Sequence, residues 1–170
     1  QHMMNYKQLI IVLISLSMIF TSFGVAITHA QASSPGIIFV STTGSNATGN
    51  GSVVSPYATI SYAVSKAAPY SIIEVDPGIY YGTVNITKPV ILESITLDPA
   101  DTIIDAFNQT YGIEVFGMNS NGTEINGFTV EYADAQGIYV QNSFGVLVEN
   151  NIVATNGLLP EPCRQEHNQR

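Results

Sequence analysis

Residues Gly137–Asn151 read GIYVQNSFGVLVENN. Ile138 and Val140 alternate around Tyr139, and Val146 and Val148 alternate around Leu147, which is the period of a strand that buries one face. The gap between the two runs is too short for a helix. Upstream, Gly112–Val115 reads GIEV and repeats the Gly-Ile-x-Val opening in the same phase.

Working outward, the chain resolves into three recurring short strands. The first set is IIEV (72–75), TIID (102–105), FTV (128–130) and NIV (151–153); the second is VNI (84–86), IEV (113–115) and IYV (138–140); the third is VIL (90–92), TEI (123–125) and VLV (146–148). Ile125 and Val148 are 23 residues apart, as are Val130 and Val153, while Ile113 and Ile138 are 25 apart. Three strands per period with polar corners is the pattern of a parallel β-solenoid. The few aliphatic side chains of one coil do not offset the entropy of ordering it, so coils must stack on one another. An antiparallel sandwich is the rival, because Asn121-Gly122 and Asn126-Gly127 are hairpin signals. Hairpins, however, do not explain the same-phase return of Gly-Ile-x-Val.

Before the coils lies Phe39–Ala68, FVSTTGSNATGNGSVVSPYATISYAVSKAA. Phe39 and Val40 begin a strand, and residues 44–51 form a turn-rich loop. Its Gly44-x4-Gly49 spacing has Asn50 where a phosphate-binding loop needs lysine, which removes that reading. Ser55-Pro56 opens a helix, with Thr59 as an alternative cap. Ile60, Ala63, Val64 and Ala67 form one apolar stripe, so this helix must lie on an apolar surface, and the open N-terminal end of the coils supplies one.

The first 32 residues are different in kind. Lys7 precedes a charge-free apolar run, Leu9–Ile27, that ends near Ala30-Gln31-Ala32, the pattern of an export signal. The run is 19 residues long, so an uncleaved membrane anchor is the competing reading. Both place the remainder outside the cytoplasm, secreted or at the cell surface. The 170 residues carry 13 acidic against 5 basic groups and 14 glycines, with no tryptophan. An acidic chain without a basic patch repels phosphate, which argues against a nucleic-acid partner. Export gives meaning to four N-x-[ST] sequons, at Asn46, Asn85, Asn108 and Asn121, as glycosylation candidates. After Gly157 the pattern is abandoned, and Cys163 has no second cysteine to pair with. The domain reading is therefore a signal or anchor at 1–32, a strand, loop and capping helix at 33–68, coils at 69–157 and an irregular tail, truncated or unrelated, at 158–170.

In this order, FVSTTGSNATGNGS, SPYATISYAVSKA, IIEVDPGIYYGTVNITKPVIL, TIIDA, GIEV, INGFTV and GIYV resemble the N-terminal portion of right-handed parallel β-helix proteins of the pectate-lyase-like superfamily. VDPGIYYGTVNITKPV (75–90) is similar to the first full turn after the capping helix in that superfamily's group of carbohydrate-binding proteins and sugar hydrolases, which also includes periplasmic copper-site maturation proteins. The resemblance spans about Phe39 to Gly157. It implies an all-β, right-handed parallel β-helix with an N-terminal capping α-helix, and a polysaccharide or surface glycan as partner. Its motif residues are structural, so it implies little about activity.

Lyases of the fold use a basic residue beside calcium-holding aspartates, and hydrolases use aspartates on successive coils. Lys66, Lys88, Arg164 and Arg170 fall on no coil strand, and the outward residues of the second strand set, Asn85, Glu114 and Tyr139, are not a carboxylate pair. Catalysis is therefore not expected from this chain alone; a lyase or hydrolase site would lie in later coils of a longer protein. Glu114 and Tyr139, stacked on one outer face, are candidates for binding a sugar by hydrogen bond and ring stacking. Asp101 and Asp105, with Asp98, and Glu131 with Asp134, are candidate calcium ligands, against the simpler reading of solvated turn carboxylates. His29 and His167 leave no histidine in the coils, so the copper-maturation alternative gains no ligand. Two function classes follow, a carbohydrate-associated surface module and a purely structural or adhesive solenoid.

Overall fold

The computed structural model describes residues 34–157. The expected signal or anchor at 1–32, the tail at 158–170 and Cys163 lie outside the described residues.

The elements in order are β1 (Ile37–Val40), α1 (Ile60–Lys66), β2 (Ser71–Val75), β3 (Gly78–Tyr81), β4 (Val84–Ile86), β5 (Val90–Ser94), β6 (Thr102–Asp105), β7 (Tyr111–Phe116), a 3-10 turn (Met118–Ser120), β8 (Glu124–Asn126), β9 (Thr129–Glu131), β10 (Gln136–Gln141), β11 (Leu147–Glu149) and β12 (Ile152–Val153). They form three sheets: A, in the order β1-β2-β5-β8-β11; B, β3-β6-β9-β12; and C, β4-β7-β10. Every strand pair is parallel. The chain visits A, B and C in turn three times and then begins a fourth pass, a solenoid-type arrangement. The sandwich is thereby replaced: Gly122 and Gly127, at φ 78° and 84°, turn corners between sheets rather than hairpins. Among the described residues no helix is long and apolar enough to cross a membrane.

The expected stacking partners are observed. Ile125 lies beside Val148, Val130 beside Val153 and Ile113 beside Ile138. One strand was assigned to the wrong set. Residues 72–75 belong to sheet A, with Ile72 between Ile37 and Ile91, and the first strand of sheet B is Gly78–Tyr81, which belongs to none of the three sets read from the sequence. Alternation places a residue inside or outside but does not say on which sheet, and the corner at Asp76-Pro77 is too short to show as a gap.

The helix also begins later than Ser55-Pro56 suggests. Tyr57 is held extended, donating its N–H to Phe39 O at 3.0 Å and accepting from Ser41 N at 2.9 Å. Thr59 is the N-cap, its side chain accepting from Tyr62 N. The apolar stripe is as read: Ile60, Ala63, Val64 and Ala67 are buried and join the core of the coils. Lys88 Nζ donates to Ser65 O and Ala67 O, at 3.2 and 2.9 Å, and ties the helix end to the turn before β5.

Inside, Ile73, Val75, Leu92, Ile104, Ile113, Val115, Ile125, Phe128 and Val130 are fully buried. Each such side chain contributes about 1.5–3 kcal/mol by leaving water. The Gly-Ile-x-Val signature has a steric cause. A Cβ on Gly112 would meet Val130 and stand 2.7 Å from Gly137 O, and one on Gly137 would stand 2.6 Å from Val153 and Asn156 atoms, so the backbones of neighbouring coils touch there. Asparagines lock the corners. Asn151 accepts from Phe128 N at 2.9 Å and donates to Ile125 O at 2.8 Å, and Asn156 does the same with Ala133 N and Val130 O, both at 2.8 Å.

Candidate functional site

With the inward residues committed to the core, chemistry is left to the outer faces and corners. On sheet C, Asn85, Glu114 and Tyr139 stack in register as outward residues. Tyr139 is not a free platform: its ring stacks on Tyr111, with centroids 4.4 Å apart and planes 10° from parallel. Glu114 borders a shallow cleft of ≈ 240 Å³ with Asn85, Thr87 and Phe116.

Sheet A carries carboxylates that the sequence reading did not single out. Glu74 and Glu93 are partners on adjacent rungs, and Glu124 lies beside Ile91 on the next. Partial burial, then the charges of Glu74 and Glu124, push the Glu93 carboxyl above its ordinary range. A carboxyl so placed holds its proton to higher pH than its neighbours' charge alone would suggest for a surface group. Ile72 and Ile91 flank it and are half-buried.

On sheet B, Tyr81, Asp105 and Glu131 occupy one outward column on three consecutive rungs. Here is an in-register carboxylate pair, Asp105 with Glu131, which the sequence reading did not find because it closed the second of these strands at Val130, one residue short of Glu131. Asp105 accepts from Phe107 N at 2.8 Å, a local turn that swings the chain out at the corner and leaves Phe107 at φ 52°. One coil on, Tyr132, the residue after Glu131, also has left-handed backbone, at φ 58°. The corners are tied in series: Gly82 N donates to Asp105 O at 2.8 Å, Ala106 N to Glu131 O at 2.8 Å, and Asn108 N to Tyr132 O at 2.9 Å. Three aromatic side chains are consequently held out in water, Tyr81 at 68%, Phe107 at 66% and Tyr132 at 46% exposure. The Tyr81 and Phe107 rings pack edge to face, 6.3 Å between centroids.

Left-handed backbone in a bulky residue costs about 1–3 kcal/mol and persists only where the surroundings hold it. A signal for this corner was present in the sequence. An aromatic follows the outward carboxylate within two residues in both DAF (105–107) and EY (131–132). Rungs lie ~4.8 Å apart, so the three aromatic positions span about 10 Å along the stacking direction. Rings of this kind offer flat apolar faces, and the two carboxylates beside them accept hydrogen bonds from hydroxyls or ammonium groups.

The other candidates are placed as follows. Asp101 precedes β6, and Asp98 caps its own turn by accepting from Ala100 N at 3.0 Å. Asp134 lies past β9. Among the described residues no three His, Cys, Asp or Glu side chains converge as a metal site would require. Asn46 uses its amide structurally, accepting from Ala58 N and donating to Thr59 Oγ1, each at 2.9 Å. Asn121 accepts from Phe144 N at 2.8 Å, and Asn85, Asn108 and Asn121 are all exposed. Lys66 lies 5.0 Å from the Tyr62 ring, and with Lys88 engaged at the helix end, neither lysine faces the sheet B column.

No family model matches the chain, and no curated protein matches it.

Proposed function

We propose that the chain is an exported right-handed β-helix whose helix α1 caps the first coil and whose sheet B corner binds a glycan. The observation that carries this reading is the column of Tyr81, Phe107 and Tyr132, exposed on consecutive coils beside Asp105 and Glu131. Apolar rings that no other described residue covers suit a ligand with an apolar face and a hydroxyl rim, which describes a pyranose. Sheet C contributes less, since Tyr139 is already stacked on Tyr111. The role is binding rather than turnover.

Isothermal titration of the protein with soluble oligosaccharides tests the reading. The informative variant is Phe107→Asn, because asparagine tolerates positive φ and removes the ring without straining the corner. Losing one stacking surface should weaken binding about three- to tenfold. Binding unchanged in Phe107→Asn, or absent from the parent for every sugar tried, would return the molecule to the structural or adhesive class.

A further inference from the structure

Tyr81 is the first aromatic of the column, and just past it Ser61 Oγ donates to Thr83 O at 2.7 Å, which sets the segment Ala58–Ser61 beside this end. Between that segment and the first coil lies a pocket of ≈ 210 Å³ whose walls include Thr42, Thr59, Ser61, Ile79, Tyr81 and Ile104. We infer that this pocket seats the terminal residue of an uncharged or amino-sugar glycan whose following residues lie along Tyr81, Phe107 and Tyr132. The inference rests on the glycan reading above and adds to it the end of the chain and its charge class.

Three features support it. The first is size and lining: a volume of ≈ 210 Å³ is many times the minimum that holds one water and is on the scale of a single sugar ring. Its depth is apolar, with Ile60, Val84 and Ile104, and its rim carries the hydroxyls of Thr42, Thr59 and Ser61. That matches the apolar face and hydroxyl edge of a pyranose. The second is rigidity without a ligand. Ser61 Oγ donates to Thr83 O at 2.7 Å, Thr59 Oγ1 accepts from Asn46 Nδ2 at 2.9 Å, and Tyr80 OH donates to Asp76 O at 2.8 Å. Burial, then the charge of Asp76, push the Tyr80 hydroxyl up to about 12, so it remains a neutral donor. Walls already fixed spare a ligand the entropy of ordering them. The third is charge. Asp105 and Glu131 flank the column while Lys66 and Lys88 are engaged at the helix, so a polyuronate meets repulsion and a glucosamine chain meets attraction.

Chain length provides the decisive experiment, because a site that takes chain ends counts molecules and a site that takes internal residues counts sugars. The full-length protein is titrated calorimetrically with isomaltotetraose, the glucosamine tetramer and tetragalacturonate, then with soluble chains of the two binding sugars ten times longer. The inference expects binding of the first two but not the third, and apparent affinity per sugar residue falling about tenfold on lengthening. Thr42→Phe, which fills the mouth from an exposed position, should weaken tetramer binding at least as much as Phe107→Asn does. Equal affinity per sugar at both lengths, or tetragalacturonate binding best, overturns the inference. If lengthening has no effect while Phe107→Asn still weakens binding, the aromatic column stands and only the end seat falls. If no glycan binds, both readings fall.

Discussion

Val130 and Val153 occupy the same position on adjacent rungs of sheet B, yet Val130 is fully buried and Val153 is 51% exposed. Ile125 and Val148 on sheet A repeat the contrast, at 0% and 43%. Both members of each pair are β-branched aliphatics at the same register position of the same sheet, so the difference is made by what stacks beyond. An inner coil is covered on both sides; among the described residues β11 and β12 are covered on one. Core membership in a solenoid is therefore a property of neighbouring coils as much as of the residue itself.

Charge substitution gives the largest separation. Val130→Asp places an unpaired carboxylate between two coils and should cost more than about 4 kcal/mol, enough to unfold a domain of ordinary stability. Val153→Asp can turn its carboxylate to water and should cost less than about 1 kcal/mol. Urea denaturation followed by circular dichroism measures both, and equal losses would break the comparison together with the register on which it stands.

The glycines separate by less. At Gly112 an added methyl meets Val130 and the Gly137 carbonyl, neither free to move, so Gly112→Ala should cost about 2–3 kcal/mol. At Gly137 the obstructing atoms belong to Val153 and Asn156 on the last of the described coils. Those can shift, and Gly137→Ala should cost about 1 kcal/mol. A reversed order in thermal melts would show that the last coil is the more rigidly held.

Corner asparagines rank next. Asn156 makes three bonds, to Ala133 N, Val130 O and Ala154 O, whereas for Asn121 the bond to Phe144 N is the corner contact. Asn156→Ala should therefore cost about 1–3 kcal/mol and Asn121→Ala about 0.5–1 kcal/mol. Hydrogen exchange at Ala133 N–H adds a local readout: faster exchange in Asn156→Ala than in Asn121→Ala is the expected result, and equal rates would remove the asparagine from the account of the corner.

Much of this architecture is legible because periodicity is a local signal. Ile113 and Ile138 announce their pairing through the shared Gly-Ile-x-Val, and the apolar stripe of Ile60, Ala63, Val64 and Ala67 announces a helix that needs a partner. The sheet to which a strand belongs is not local. Ile72–Val75 alternates like any member of either set, and only the tight corner before Gly78 sends it to sheet A. That one misassignment hid the first strand of sheet B and with it Tyr81, whereas the Asp105–Glu131 pairing was hidden because the reading ended its strand at Val130. Phe107 and Tyr132 were hidden for a different reason, since positive φ in an aromatic residue runs against its intrinsic preference and is imposed by corner hydrogen bonds. Glu114 and Tyr139 were placed correctly as outward rung partners, but the stack of Tyr139 on Tyr111 joins residues that are not opposite one another.

The smallest expected effect concerns the outer face of sheet A, where the comparison turns from burial to charge. Glu93 stands between the charges of Glu74 and Glu124, and its carboxyl is raised by partial burial and by both of them. A carboxyl that binds its proton more tightly folded than unfolded makes the folded state more stable as pH falls from neutral through its raised value, and the gain is complete once pH is below the ordinary carboxylate range. Rising pH removes that gain. Glu93→Gln abolishes the charge, so the variant should be more stable than the parent at neutral pH, and the difference should close on acidification. Because the group faces solvent on one side, screening limits the gain to below about 0.5 kcal/mol. Glu74→Gln should reproduce part of it, and moderate salt should shrink both. Thermal melts of the three proteins across acidic to neutral pH make the measurement. A Glu93→Gln protein less stable than the parent at neutral pH would mean that the carboxylate satisfies something on this face that repulsion from its neighbours does not outweigh.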